Sequence, residues 1–197
     1  MLAQDKPRTE KAPAQRIEND RIVQPAPQMN KLIRDFGGTW TTEDTYEPSP
    51  LMPKGGTARS RTTFRPGPGR LSLIQEYQAD GSAGKSSGLG VIWWDDKAGS
   101  FRVVWCEAGD PPVESRYNGC KILAGGRKVE GDKYVDSDQI EIQGRTMAVQ
   151  DVYSEFTPVS FTEVLSIGEP GGEMKPFLRI KYRKVADPHR GKTAPRP

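Results

Sequence analysis

Phe36-Gly37-Gly38-Thr39-Trp40 ends one periodicity and starts another, and that change decides the fold. Upstream, Met29, Leu32, Ile33 and Phe36 recur at helical spacing. They predict one short amphipathic helix over 29–36, stopped by a glycine C-cap at Gly37-Gly38. Downstream, Thr39–Tyr46 mixes threonine with aromatics and stops at Pro48-Ser49-Pro50. That is the composition of a strand and the punctuation of a turn.

The pattern then repeats. Strands are predicted over Thr57–Phe64, Arg70–Gln78, Gly88–Trp94, Phe101–Glu107 and Val113–Leu123. Further ones follow over Lys128–Val135, Thr146–Phe156, Ser160–Ile167 and Phe177–Val185. Turn chemistry separates them, as at Pro66-Gly67-Pro68-Gly69, Asp80-Gly81 and Gly125-Gly126. No second helical pattern is long enough for a βαβ crossover, which excludes a doubly wound sheet. An antiparallel meander of about ten strands must curl, and closing it removes its exposed edges. The expected fold class is therefore all-β: a single antiparallel meander β-barrel with one short N-terminal helix. Such a barrel is filled by its own side chains or holds one small ligand. A Greek-key sandwich is the alternative, and the short connections favour sequential hairpins over it.

At 197 residues the chain is long enough for one domain with a real core. Hydrophobic residues make up only 34%, and the shortfall lies at the two ends. Residues 1–26 and 187–197 are charged and proline-rich, and cannot bury enough surface to offset their ordering entropy. Both are expected to be disordered tails around a domain at 27–186. With 29 basic and 26 acidic residues the net charge is +3, a balanced surface and not a nucleic-acid-binding one. No apolar run of about 18 residues exists to form a transmembrane helix. Met1-Leu2-Ala3-Gln4-Asp5 reads as the mature start of an exported protein with a methionine added. The expected location is periplasmic or extracellular, with a signal peptide removed.

Gly38-Thr39-Trp40, after a short helix and before a run of strands, resembles the Gly-x-Trp signature of the calycin superfamily, the lipocalin-like barrels. The resemblance implies that Trp40 closes the barrel floor and that a basic residue of the last strand packs over it. Arg179, Lys181 and Arg183 are on offer there, and Arg183 is the choice. Three further stretches are similar to a bacterial lipocalin-like family without an assigned function: Gly90-Val91-Ile92-Trp93-Trp94-Asp95, the run from Asp151 to Thr162, and Lys181-Tyr182-Arg183-Lys184. Together with Gly38-Thr39-Trp40 they span most of the chain from Asn30 to Val185. The nitrobindin-like haem barrels are related, but need an imidazole on iron. The single histidine, His189, falls in the C-terminal tail, so no haem or other cofactor is expected. The fatty-acid-binding proteins carry a capping helix pair that has no counterpart here.

The aromatic and basic residues supply the candidate ligand-binding set: Trp40, Trp93, Trp94, Trp105, Tyr117, Tyr153, Arg179 and Arg183. Adjacent Trp93 and Trp94 face opposite sides of a strand, so one lies outside and needs cover from the helix or a second subunit. An exposed aromatic face would then mark a homodimer. Arg179, Lys181 and Arg183 share one face of the last strand, opposite Leu178, Ile180 and Tyr182. Pointing inward, the basic face would hold an anionic head group; pointing outward, which the cost of buried charge favours, it is solvated surface. A tight turn at Pro111-Pro112 would set Cys106 near Arg116, not Cys120, so two buried free thiols are favoured; a disulfide, the alternative, needs a longer loop or another strand pairing. Asp95, Asp96, Asp132, Asp136 and Asp138 read as turn residues, without the order of a calcium loop. No Ser-His-Asp or Cys-His set is present to suggest an enzyme. The leading expectation is a non-enzymatic carrier of a small, mainly apolar ligand; the rival is an interaction module with a filled barrel.

Overall fold

The computed structural model describes residues 24–49, 52–82, 84–109, 119–142 and 144–186. Apart from residues 24–26, both predicted tails lie outside that set, as do Tyr117 and the Pro111-Pro112 turn. Helix α1 (Pro27–Phe36) precedes β1 (Gly38–Tyr46), β2 (Gly56–Pro66), β3 (Ser72–Gly81), β4 (Gly84–Asp95) and β5 (Ser100–Gly109). Then come β6 (Gly119–Ile122), β7 (Arg127–Glu130), β8 (Lys133–Ile142), β9 (Arg145–Ser154), β10 (Ser160–Gly168) and β11 (Lys175–Lys184).

Among the described residues every strand pairing is antiparallel and nearly every one joins neighbours in sequence. β11 returns to β1, with Trp40 opposite Lys184 and Tyr46 opposite Leu178. β5 bridges to β7 through Phe101 and Arg127, which closes a ring without β6. The short β6 lies on the same edge of β5, ahead of β7, and pairs with Val104–Glu107. The two are separated by an excursion over Leu123-Ala124-Gly125-Gly126. The sequence reading of one strand over Lys128–Val135 is corrected here. Gly131, at φ 65°, turns the chain between β7 and β8. Gly84-Lys85-Ser86-Ser87 extends β4 upstream of the strand predicted from Gly88.

One end of the ring is sealed by apolar packing. The buried cluster draws Trp40 from the start of β1, Phe64 from the end of β2 and Leu73 from the start of β3. Ile92, Phe101, Tyr134, Tyr153, Phe161 and Tyr182 complete it from the same end of an antiparallel ring. Into it α1 inserts Met29, Leu32, Ile33 and Phe36, the four positions its periodicity marks. Phe36 is the hub, with ring centroids of Phe64, Tyr134, Phe156 and Phe161 at 5.1–5.3 Å. Edge-on contacts dominate, as the ring quadrupoles prefer. Polar contacts fix the helix as well: Tyr134 Oη donates to Asp35 Oδ2 at 2.7 Å, and Lys31 Nζ reaches both groups.

Gly37 and Gly38 have distinct reasons. A Cβ at Gly37 would sit 2.4 Å from the Ile33 carbonyl oxygen that its own N–H caps. Gly38 has φ +130°, a region closed to other residues, and lets Lys184 pass close by. That turn delivers Trp40 to the floor fully buried, with its Nε1 donating to the Phe36 carbonyl at 2.7 Å. The basic residue over Trp40 is Lys184, with Nζ 4.9 Å from the ring centroid, and not Arg183. The register explains it: Lys184 is directly opposite Trp40 and on the same face, whereas Arg183 is opposite Thr41 and exposed.

Cys106 and Cys120 form a disulfide, contrary to the expectation of buried thiols. They are directly opposite in the β5–β6 pairing, a register that a two-residue turn centred on Pro111-Pro112 would not give. No helix among the described residues is long and apolar enough to cross a membrane. The large apolar residues exposed there are Leu71, Leu89, Ile122, Val129 and Val159, with no aromatic among them. Trp93, of outward parity between Ser72 and Arg102, is half-buried, so the aromatic face expected for a homodimer is not formed by these residues.

Candidate functional site

Above the sealed floor the barrel encloses a cavity of about 270 Å³. A water occupies about 30 Å³ of liquid, so the space suits a small organic molecule better than isolated waters. Its apolar wall comes from β8 to β11, through Ile140, Val149, Leu165, Ile167, Leu178 and Ile180. Strand alternation brings these six inward. On the opposite wall Tyr77 and Trp105 stack, with centroids 5.5 Å apart and planes 5° from parallel. Both donate to Glu107, Tyr77 Oη at 2.7 Å and Trp105 Nε1 at 3.2 Å. Gly88 and Gly90 of β4 make this stack possible: a Cβ at Gly88 would lie 2.2 Å from the Tyr77 ring.

The deepest layer is charged. Arg127 is 1% exposed and grips Asp136 with two parallel hydrogen bonds, Nε to Oδ1 at 2.6 Å and Nη2 to Oδ2 at 2.8 Å. Its guanidinium carbon lies 4.5 Å from the Tyr153 ring centroid and 5.2 Å from that of Phe36. Burial opposes the charge of Arg127, but Asp136, Tyr153 and Glu163 together more than offset it, and the pKa is raised. Asp151 is opposite Asp136 across β8 and β9, and Glu163 is opposite Tyr153 across β9 and β10. Tyr182 Oη donates to Glu163 Oε2 at 2.6 Å. Three buried atoms have no hydrogen-bond partner among the described residues: Arg127 Nη1, Asp151 Oδ1 and Asp138 Oδ2, the last of which is ion-paired with Lys121.

Burial pushes Glu163 up from 4.5 to about 7, against the pull of Tyr182 and Arg127. Asp151 is pushed well above the ordinary carboxylate range by burial, then by the charges of Glu163 and Asp136. Asp44 is raised by burial, partly countered by its bond from Thr42. A raised acid holds its proton in the folded chain where the unfolded chain has lost it. Stability therefore falls as pH rises from about 4.5 to about 7. For Glu163 the difference amounts to about 3 kcal/mol above that window. Glu163→Gln should flatten the profile and be the more stable chain at pH 8, as read by urea denaturation across pH. A parental chain that grows more stable through this window would contradict the account.

Of the residues singled out from sequence, Trp105 and Tyr153 line the cavity. Trp40 lies in the floor, where Trp94 packs edge-on against Phe101 at 5.0 Å. Neither reaches the cavity. Trp93 is on the outer face, and Tyr117 lies outside the described residues. Arg179 and Arg183 are exposed, and Arg179 pairs with Glu47 at 3.1 Å, so neither lines the cavity. Their strand parity forces this, since Leu178, Ile180 and Tyr182 take the inner face. Sequence reasoning missed Arg127, Asp136, Asp151 and Glu163. Asp136 and Asp138 are not turn residues but inward positions of β8. Asp95 does fit the turn reading, accepting from the Lys97 and Ala98 amides.

No protein-family model matches this chain, and no curated protein does. Among solved structures, Rv2717c from M. tuberculosis is similar, with a TM-score of 0.54 at 12% identity over 83% of this chain and 100% of that chain. A de novo designed fluorescence-activating β-barrel covers 77% of this chain and 94% of its own, at 12% identity and a TM-score of 0.38. At such identities the first likeness shows the fold alone, and the second carries no argument. The architecture is a closed antiparallel meander barrel of ten strands with one extra strand and one short helix.

Proposed function

We propose that this protein is a non-enzymatic carrier or sensor that buries the apolar body of one small ligand in the barrel. The observation that carries the reading is the cavity of about 270 Å³, apolar on one wall, aromatic on the other and polar at its base. That division suits a ligand whose apolar surface leaves water while one or two polar groups fix its orientation. The same open space weighs against a barrel filled by its own side chains. Export to the periplasm or beyond belongs to the proposal, supported by the Cys106–Cys120 bridge, since disulfides persist in oxidising compartments.

Tryptophan fluorescence tests the reading. Trp105 is the tryptophan that lines the cavity, while Trp40, Trp93 and Trp94 do not. Titration with n-octanol should give a saturable change in emission. In Trp105→Phe most of that change should vanish while calorimetry still detects binding. A linear, non-saturating response with no calorimetric heat would overturn the proposal.

A further inference from the structure

The cavity is short of positive charge. Among the described residues Asp44, Glu107, Asp136, Asp138, Asp151 and Glu163 face it, against Lys121 and Arg127 alone. The chain as a whole is +3, so the acidic excess is local. Lys121 is taken by Asp138, and Arg127 by Asp136. Glu107 is held by the hydroxyl and indole donors of Tyr77 and Trp105, and Asp44 by Thr42. Among the described residues Asp151 and Glu163 have no basic side chain of their own; a side-chain hydrogen bond joins the two carboxyls, and Asp151 Oδ1 is buried without a donor. Beside them Arg127 Nη1, on a side chain 1% exposed, is a second buried atom left without a hydrogen-bond partner among the described residues.

Resting on the carrier reading, we infer that the ligand's head group is a protonated amine with an oxygen acceptor beside it. The ammonium is held by Asp151 and Glu163, and the oxygen accepts from Arg127 Nη1. A carboxylate head would meet the acidic excess and be repelled. The stacked Tyr77–Trp105 wall favours a cation too, because ring faces attract one. Binding has a proton linkage. Glu163, pushed to about 7, and Asp151, pushed well above the ordinary carboxylate range, must release protons to pair with the ammonium. The groups facing them set that linkage: Asp44 from β1, Arg127 from β7, Asp136 from β8, Tyr153 from β9 and Tyr182 from β11. An alkylamine stays protonated to about pH 10, so the carboxyl side governs the trend.

The test is calorimetric titration of the whole chain with N-octylethanolamine, n-octanol and octanoate at pH 6 and pH 8. The amine should bind at least about tenfold tighter than either other probe at pH 8. Its preference should shrink at pH 6 and largely disappear in Asp151→Asn/Glu163→Gln, whose folding is checked by urea denaturation. If n-octanol or octanoate binds as tightly as the amine at pH 8, the head-group inference falls and the carrier reading stands. If none of the three binds, both fall.

Discussion

Arg127→Met should destabilise the chain by about 3–5 kcal/mol, the cost of breaking a buried ion pair from one side. Among the described residues Arg127 is the basic group that pairs with Asp136 in the deepest layer, and its guanidinium also lies against the Phe36 and Tyr153 rings. Removing it leaves Asp136, 4% exposed, as an uncompensated charge next to Asp151 and Glu163. Urea denaturation at pH 8 should show the midpoint fall with an unchanged slope. The second change, Asp136→Leu on top of Arg127→Met, should recover most of the loss, because a well-packed apolar pair often equals a buried ion pair. A single variant within about 1 kcal/mol of the parent would show that the pair is not desolvated as described.

Trp40→Ala should cost a similar amount, about 3–5 kcal/mol, by emptying a fully buried indole site. The loss has three parts. The edge-on contact with Phe161 at 4.8 Å goes, the Phe36 carbonyl loses its donor, and Lys184 loses the ring beneath it. Because Trp40 seals the floor and does not line the cavity, n-octanol affinity in the folded fraction should stay within about twofold of the parent. Equilibrium denaturation and calorimetry on the same preparation separate the two effects. A Trp40→Ala chain of parental stability, or one that is stable but no longer binds, would place this tryptophan elsewhere in the account.

The fold was legible because its signals are periodic. Helical spacing over Met29–Phe36, the glycine pair and the turn-bounded strands each follow from local chemistry, and closure follows from the cost of free edges. The site was less legible because its key residues break the same rules. Asp151 occupies the inward parity between Val149 and Tyr153, and Glu163 the one between Phe161 and Leu165. An acid among inward apolar neighbours is a signal the sequence does carry, but it is unread unless parity is followed residue by residue. Asp136 was hidden differently. Aspartate favours turns, and one lies just upstream at Gly131-Asp132, so its place inside β8 depended on a register that only the paired strands set. Arg127 lies between the turn at Gly125-Gly126 and the strand predicted from Lys128, so no strand parity was assigned to it. Lys184 over Trp40 and the Cys106–Cys120 bridge are also questions of register. Each turns on which residues are directly opposite, and loop length decides that.

The most direct test of a ligand-holding barrel is native mass spectrometry of protein purified from its own host, repeated after adding excess N-octylethanolamine or n-octanol. The account predicts a one-to-one non-covalent adduct, carried from the host or formed on addition, that is lost when the chain is denatured. A spectrum that holds only the bare chain under all three conditions would contradict it.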